Sequence, residues 1–363
     1  MTLASSLEGL RRVVQGSRRG SVLLVLAASI AASCQATNPS SNPPPASPQV
    51  VEKSVSLTPT HRWPDIYAHA IHAATTRHLH VWLGSDLDVR WLEGKQSFEA
   101  AVRRLAELAR MPGVVGIKIA DELGYEDGFN GDAARVRAFL RDSARALHRL
   151  APGKKILIDL LVPELGCAPG IAGPAAGLAA ACAAERRARN PALTLPDVDA
   201  LFAMHAVDVV DLSTGLLSPD AYRDWGITID DAQVMAWREA MRRGWGAEAT
   251  LQARKALAFA GTYPYGAAQA EDDLRLYVDI PSRMGAAATD IWTWRQPYEG
   301  QVVHLVNPGI KANPLWRGLV ARKRAGARLF THFTPSSMEE GLHPDLDAVA
   351  QAFTSVFMAA GTG

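Results

Sequence analysis

From residue 60 to the end, short apolar runs alternate with amphipathic stretches, and this alternation limits the chain to α/β architectures. The apolar runs predict strands at Leu79–Ser85, Val114–Ala120, Lys155–Val162, Val207–Ser213, Ala256–Gly261, Thr289–Arg295, Val302–Val306 and Arg328–Phe333. Helical spacing separates them at 97–110, 132–150, 230–243, 271–284, 313–325 and 344–358, with an Ala-rich candidate at 174–190. Eight strands with interleaved helices predict a (β/α)8 TIM-type barrel occupying residues 60–363 as one domain. One joint is irregular. Only Gln296–Gln301 separates the sixth and seventh strands, too short for a parallel crossover, so that pair is either a local hairpin or a miscount. A doubly wound open sheet is the alternative, but no Gly-x-Gly-x-x-Gly or Walker loop follows any strand.

The first 59 residues are of another kind. Arg11, Arg12, Arg18 and Arg19 precede an apolar run over residues 21–33, the order of a signal peptide, and the run is too short to span a membrane. Ala31-Ala32-Ser33-Cys34 resembles a bacterial lipobox, which implies cleavage after residue 33 and lipidation of Cys34. Arg18-Arg19 also fits a twin-arginine signal, so both export routes stay open. Residues 34–59 form a Pro/Ser-rich tether. The expectation is an exported, membrane-anchored lipoprotein.

Charge narrows the partners. Lys plus Arg number 38 against 37 Asp plus Glu, a net charge of +1, and removing residues 1–33 with their four arginines and one glutamate makes it −2. No basic surplus exists for a nucleic-acid partner. Three cysteines are too few for a disulfide scaffold, yet export would allow Cys167 and Cys182 to pair; two buried free thiols are the other reading.

In a barrel, catalytic residues gather at the C-terminal strand ends. On the second strand, period-two alternation puts Lys118 and Glu122 on one face and Asp121 on the other. A lysine inside a strand calls for a carboxylate partner, so a purely structural ion pair competes with a catalytic role. Asp159 and Asp211 interrupt the apolar runs of the third and fourth strands. Glu122, Asp159 and Asp211 would therefore form a paired-carboxylate site for acid–base or nucleophilic work, unless the aspartates only cap turns. Trp82, Trp292, Trp294 and Tyr263 offer flat faces for a sugar ring, unless the tryptophans are core layers. Arg295 and His332 also end strands and join the expected substrate contacts.

A barrel with strands ending in Asp-Glu, Asp and Trp-x-Trp behind a lipoprotein leader resembles the bacterial (β/α)8 glycoside hydrolases. The resemblance is architectural. Neither the Asn-Glu of the large retaining clan nor the full chitinase-like Asp-x-x-Asp-x-Asp-x-Glu is present. It implies hydrolysis of an extracellular or cell-wall glycan, with Glu122 as general acid and Asp159 or Asp211 as the second carboxylate. A non-catalytic, lipid-anchored glycan-binding barrel is the alternative. A metal-dependent hydrolase built on the histidines between His61 and His80 ranks third, because His78-Leu-His80 stands near the strand start and no later strand ends in the set of additional histidines that such a site needs. No metal site and no cofactor are assigned.

Overall fold

A computed structural model describes residues 66–125 and 128–360. The leader, Cys34, the tether and His61 lie outside the described residues. Ten strands form one sheet: β1 (His80–Gly84), β2 (Val114–Lys118), β3 (Lys155–Leu161), β4 (Val209–Ser213), β5 (Thr250–Ala256), β6 (Phe259–Ala260), β7 (Thr289–Tyr298), β8 (Gln301–His304), β9 (Leu329–Phe333) and β10 (Ser355–Ala359). Eight of them run parallel in the order β1-β2-β3-β4-β5-β7-β9-β10, and β10 pairs with β1 to close the barrel. The (β/α)8 expectation holds.

One expected strand lies outside the barrel, and one barrel strand falls where helix was expected. The run at 302–306 is no barrel strand: β8 folds back antiparallel on β7, with Arg295 opposite His304, which explains the short joint. The eighth barrel strand is β10, inside the stretch expected to continue as helix to residue 358. That helix, Leu342–Ala352, stops at Ala352. Ser355–Ala359 is almost wholly buried, and an apolar run without a polar face carries no period to tell strand from helix. The fifth strand also begins earlier than expected, at Thr250.

Helices cover the outside. The helix Ala133–Leu150 shows why: Asp132 accepts hydrogen bonds from the Ala134 and Arg135 amides at 2.9 and 3.0 Å, and Val136, Phe139, Leu140, Ala144 and Leu147 make one buried stripe. Thr228 and Asp231 form a reciprocal capping box at the start of Ile229–Arg242. A disulfide joins Cys167 to Cys182, tying the turn after β3 to the helix Ala176–Arg189. Among the described residues, no helix is long and apolar enough to cross a membrane.

Period-two alternation divides the strands between two cores. Val81, Leu83, Ile117, Ile156, Ile158, Val210, Leu212, Ile291, Val356 and Met358 face the helices. Trp82, Leu157, Val209, Ala288, Phe330 and Phe357 form a separate apolar cluster in the barrel lumen. Gly116 makes room for the indole, since a Cβ there would stand 2.3 Å from Trp82 Cζ3 and 2.7 Å from the Lys155 carbonyl oxygen.

Candidate active site

Two residues further along the same strands, the lumen turns polar. Lys118 follows Gly116, Asp159 follows Leu157, Asp211 follows Val209, Asp290 follows Ala288 and His332 follows Phe330, each pair on one strand face. Gln252 and Arg254 of β5 complete the layer, with Gln252 beside Asp211 and Arg254 beside Asp290 in the strand register. Asp159 and Asp211 are themselves register partners.

These groups form one network. Asp159 Oδ2 lies 2.7 Å from Lys118 Nζ and 2.8 Å from Arg254 Nε. Lys118 also contacts the Asp121 carboxylate, and its Nζ stands 3.2 Å from His332 Nε2. Asp290 Oδ2 approaches the same His332 nitrogen at 3.0 Å. Arg254 Nη1 donates to Glu122 Oε1 at 2.7 Å. No protein donor reaches either oxygen of Asp211, Oδ1 of Asp159 or Asp290, or Oε1 of Gln252.

Burial and neighbouring charge set the protonation preferences. Burial raises Asp159 above the ordinary carboxylate range despite Arg254 and Lys118. Burial, reinforced by Asp159 and Asp290, raises Asp211 far above that range. Burial opposes the charged form of Lys118, but the Asp121 and Asp159 carboxylates outweigh it and hold the lysine above its usual value, while the Lys118 ammonium holds the half-exposed Asp121 well below the ordinary carboxylate range. Arg254 is likewise raised, its carboxylate neighbours overriding burial. Burial and then the Lys118 ammonium push His332 below its ordinary value, against the pull of Asp290. Both effects favour the neutral imidazole.

A cavity of about 230 Å3 opens at this end of the barrel, with Lys118, His332, Asp121, Asp86, Gln296 and Thr334 among its walls. Asp159, Asp211 and Asp290 are fully buried one shell behind it.

The expected site residues divide. Lys118, Asp121 and His332 line the cavity. Glu122 sits at the mouth, just past β2, with φ +44° and its carboxylate on Arg254; the chain has left strand geometry there, so the alternation that predicted Asp121 on the opposite face from Lys118 no longer applies. Trp82 belongs to the apolar lumen plug, away from the mouth. Trp294 faces the helices, donates from Nε1 to Asp345 Oδ2 at 2.8 Å and packs on Trp316. The expectation that Trp292 and Trp294 share a face fails because the β7–β9 register shifts between Ile291 and Arg295. Trp292 remains half-buried, edge-on to Tyr298 at 5.2 Å between ring centres. Tyr263 packs against Phe259 and Tyr265, and Arg295 is held by Glu339 at 2.6 Å. Sequence reasoning missed Arg254, Gln252 and Asp290. The first two were hidden by starting the fifth strand at Ala256; Asp290 was visible as a charge inside an apolar run, the signal that marked Asp159. Among the described residues, no metal-type cluster includes a histidine.

No protein-family model matches the chain, and no curated protein matches it. Among solved structures, it is similar to the carboxyl transferase domain of Rhizobium etli pyruvate carboxylase with 3-bromopyruvate, at 8% identity and TM-score 0.42, covering 81% of this chain and 42% of that one. A provisionally named phosphonomutase from Burkholderia cenocepacia J2315 matches at 13% identity and TM-score 0.38, covering 81% and 93%. A provisionally named α-L-fucosidase from Bacteroides thetaiotaomicron matches a smaller share, 66% of this chain and 62% of its own, at 11% identity and TM-score 0.38. The chain thus spans about two fifths of the carboxyl transferase structure. All three carry enzyme names, and at these scores none identifies a reaction.

The glycoside-hydrolase expectation is corrected here. Within the site, the expected general acid Glu122 is committed to Arg254, and two of the three tryptophans expected to grip sugar are core residues.

Proposed function

We propose that the protein is an enzyme that moves a proton on a small polar substrate held in the cavity at the barrel mouth. The supporting observation is the contact between Lys118 Nζ and His332 Nε2, 3.2 Å apart, with both residues on the cavity wall. An ammonium donor and an imidazole acceptor side by side form an acid–base pair. Lys118 also stabilises negative charge developing on a substrate oxygen, because it is fixed in a site shielded from water. His332 Nε2 accepts from Lys118 or donates to Asp290, and cannot do both at once, so its proton has two defined positions. The cavity is smaller than those that hold drug-sized ligands, and its walls are mostly polar, which favours a hydroxylated or carbonyl-bearing metabolite.

The test is exchange of substrate C–H for deuterium in D2O, followed by proton NMR across a panel of small hydroxy and oxo compounds. At least one compound should exchange, and the rate should fall by about 100-fold or more in His332→Gln that retains its circular dichroism spectrum. Exchange with no compound, or a rate unchanged in both His332→Gln and Lys118→Met, would refute the proposal. From the leader we further propose export and lipid anchoring at Cys34; labelled palmitate should enter the wild type and not Cys34→Ala.

A further inference from the structure

We infer that the barrel lumen binds a divalent cation of the Mg2+ or Mn2+ type, through Asp159, Asp211 and Asp290 with Gln252 as a neutral fourth ligand. The three carboxylates can each bring an oxygen within 4.8 Å of the others, a span that one ion can bridge. A cluster of acids alone would not carry the inference. The second observation is how their remaining valences are used.

On Asp159 and on Asp290 the cationic or donor neighbours all approach Oδ2: Lys118 and Arg254 on the first, His332 and more distantly Arg254, at 3.7 Å, on the second. Oδ1 of each is left without a donor, as are both oxygens of Asp211. Outer groups therefore orient two of the carboxylates while one oxygen of each remains to be satisfied, the relation expected between metal ligands and their supporting shell. Gln252 strengthens this. It is an uncharged side chain, 3% exposed, beside Asp211 on the same sheet face, and its Oε1 is also without a donor. A buried amide oxygen that has no donor and shares a sheet face with a neighbouring carboxylate gains nothing from it, unless a cation lies between them.

Charge points the same way. Asp121, Glu122, Asp159, Asp211 and Asp290 share two permanent cations, Lys118 and Arg254. The donor set is all oxygen, the choice of hard cations, and with four protein ligands it leaves positions for water or a substrate oxygen. The cation would lie one shell behind Lys118 and His332. This inference deepens the acid–base reading of the same site, and it is tested by binding rather than turnover, so either can fail alone.

Full-length protein is stripped with EDTA, dialysed and titrated with MnCl2, with free Mn2+ followed by electron paramagnetic resonance and MgCl2 added as competitor. One saturable site per chain is expected, displaced by Mg2+, with affinity lowered at least about tenfold in Asp211→Asn and in Gln252→Leu. Asp290→Asn serves if Asp211→Asn does not fold. Absence of saturable binding, or binding equal in the wild type and the folded variants, would overturn the inference and leave protons as what the carboxylates share.

Discussion

The lower and upper halves of the barrel lumen are built on the same strands, two residues apart, and have opposite chemistry. Below, Trp82, Leu157, Val209, Ala288, Phe330 and Phe357 fill the space with apolar surface. Above, Lys118, Asp159, Asp211, Arg254, Asp290 and His332 fill it with ionisable groups. Since one strand serves both halves, the difference is made by side chains alone. The apolar half stabilises the closed barrel by removing hydrocarbon from water, whereas burying carboxylates costs free energy that their partners only partly offset. A fold tolerates such a layer where it has work for it.

The largest effect should come from emptying the apolar half. Trp82→Ala removes an indole that Gly116 was left bare to admit, and a buried Trp→Ala change costs about 3–5 kcal/mol. Chemical denaturation should show the loss as a lower midpoint with the cavity residues untouched. Trp294→Ala belongs to the same class, because its ring packs in the outer core. A loss below about 1 kcal/mol in both would mean that neither ring supports the barrel.

Next comes the charged half. Lys118→Met keeps the length and apolar stem of the side chain but leaves the buried Asp159 with Arg254 as its remaining cationic partner, and breaking a buried pair costs about 3 kcal/mol or more. Adding Asp159→Asn should recover part of that loss, because the second change removes the charge that lost a partner. Two variants that simply add would show that the lysine and the aspartate do not interact in the folded protein.

These two halves were unequally legible in the sequence. Lys118, Asp159 and Asp211 could be picked out because a charge inside an apolar strand run must have a reason, and the gathering of barrel strand ends around one pocket suggested that they converge. Arg254 could not, because nothing in Thr250–Ala256 distinguishes a barrel strand from the residues after it until the pairing with β4 and β7 is known. The closing strand was obscured by its own burial: Ser355–Ala359 has no polar face. The tryptophans misled for a different reason. Their i, i+2 spacing implies a common face only in a regular strand, and β7 is irregular exactly where they lie, between Ile291 and Arg295.

A smaller effect of opposite sign separates a burden from a support within the charged layer. In chelator-treated protein, Asp211→Asn replaces a buried carboxylate lacking any protein donor by a neutral amide of nearly the same shape, beside two other carboxylates. Stability should rise by about 1 kcal/mol, read as a higher denaturation midpoint. A fall of the same size would mean that Asp211 is held by favourable contacts when no ion is added.

The smallest effect is expected at Trp292, which tests whether the aromatic residues near the mouth belong to either half. Its ring is half-buried and meets Tyr298 edge-on, and it joins neither the lumen plug nor the outer core. Truncation to alanine therefore forfeits part of one aromatic contact and a modest apolar area, about 1 kcal/mol or less, against the several expected for Trp294 two residues away. The two variants share a strand, a residue type and a substitution, so the ratio of their losses isolates the one variable that differs, the side of the irregular strand on which each ring falls. Equal losses would place Trp292 in a packed core after all, and the mouth would then have lost the tryptophan that the sequence suggested it presents to a ligand.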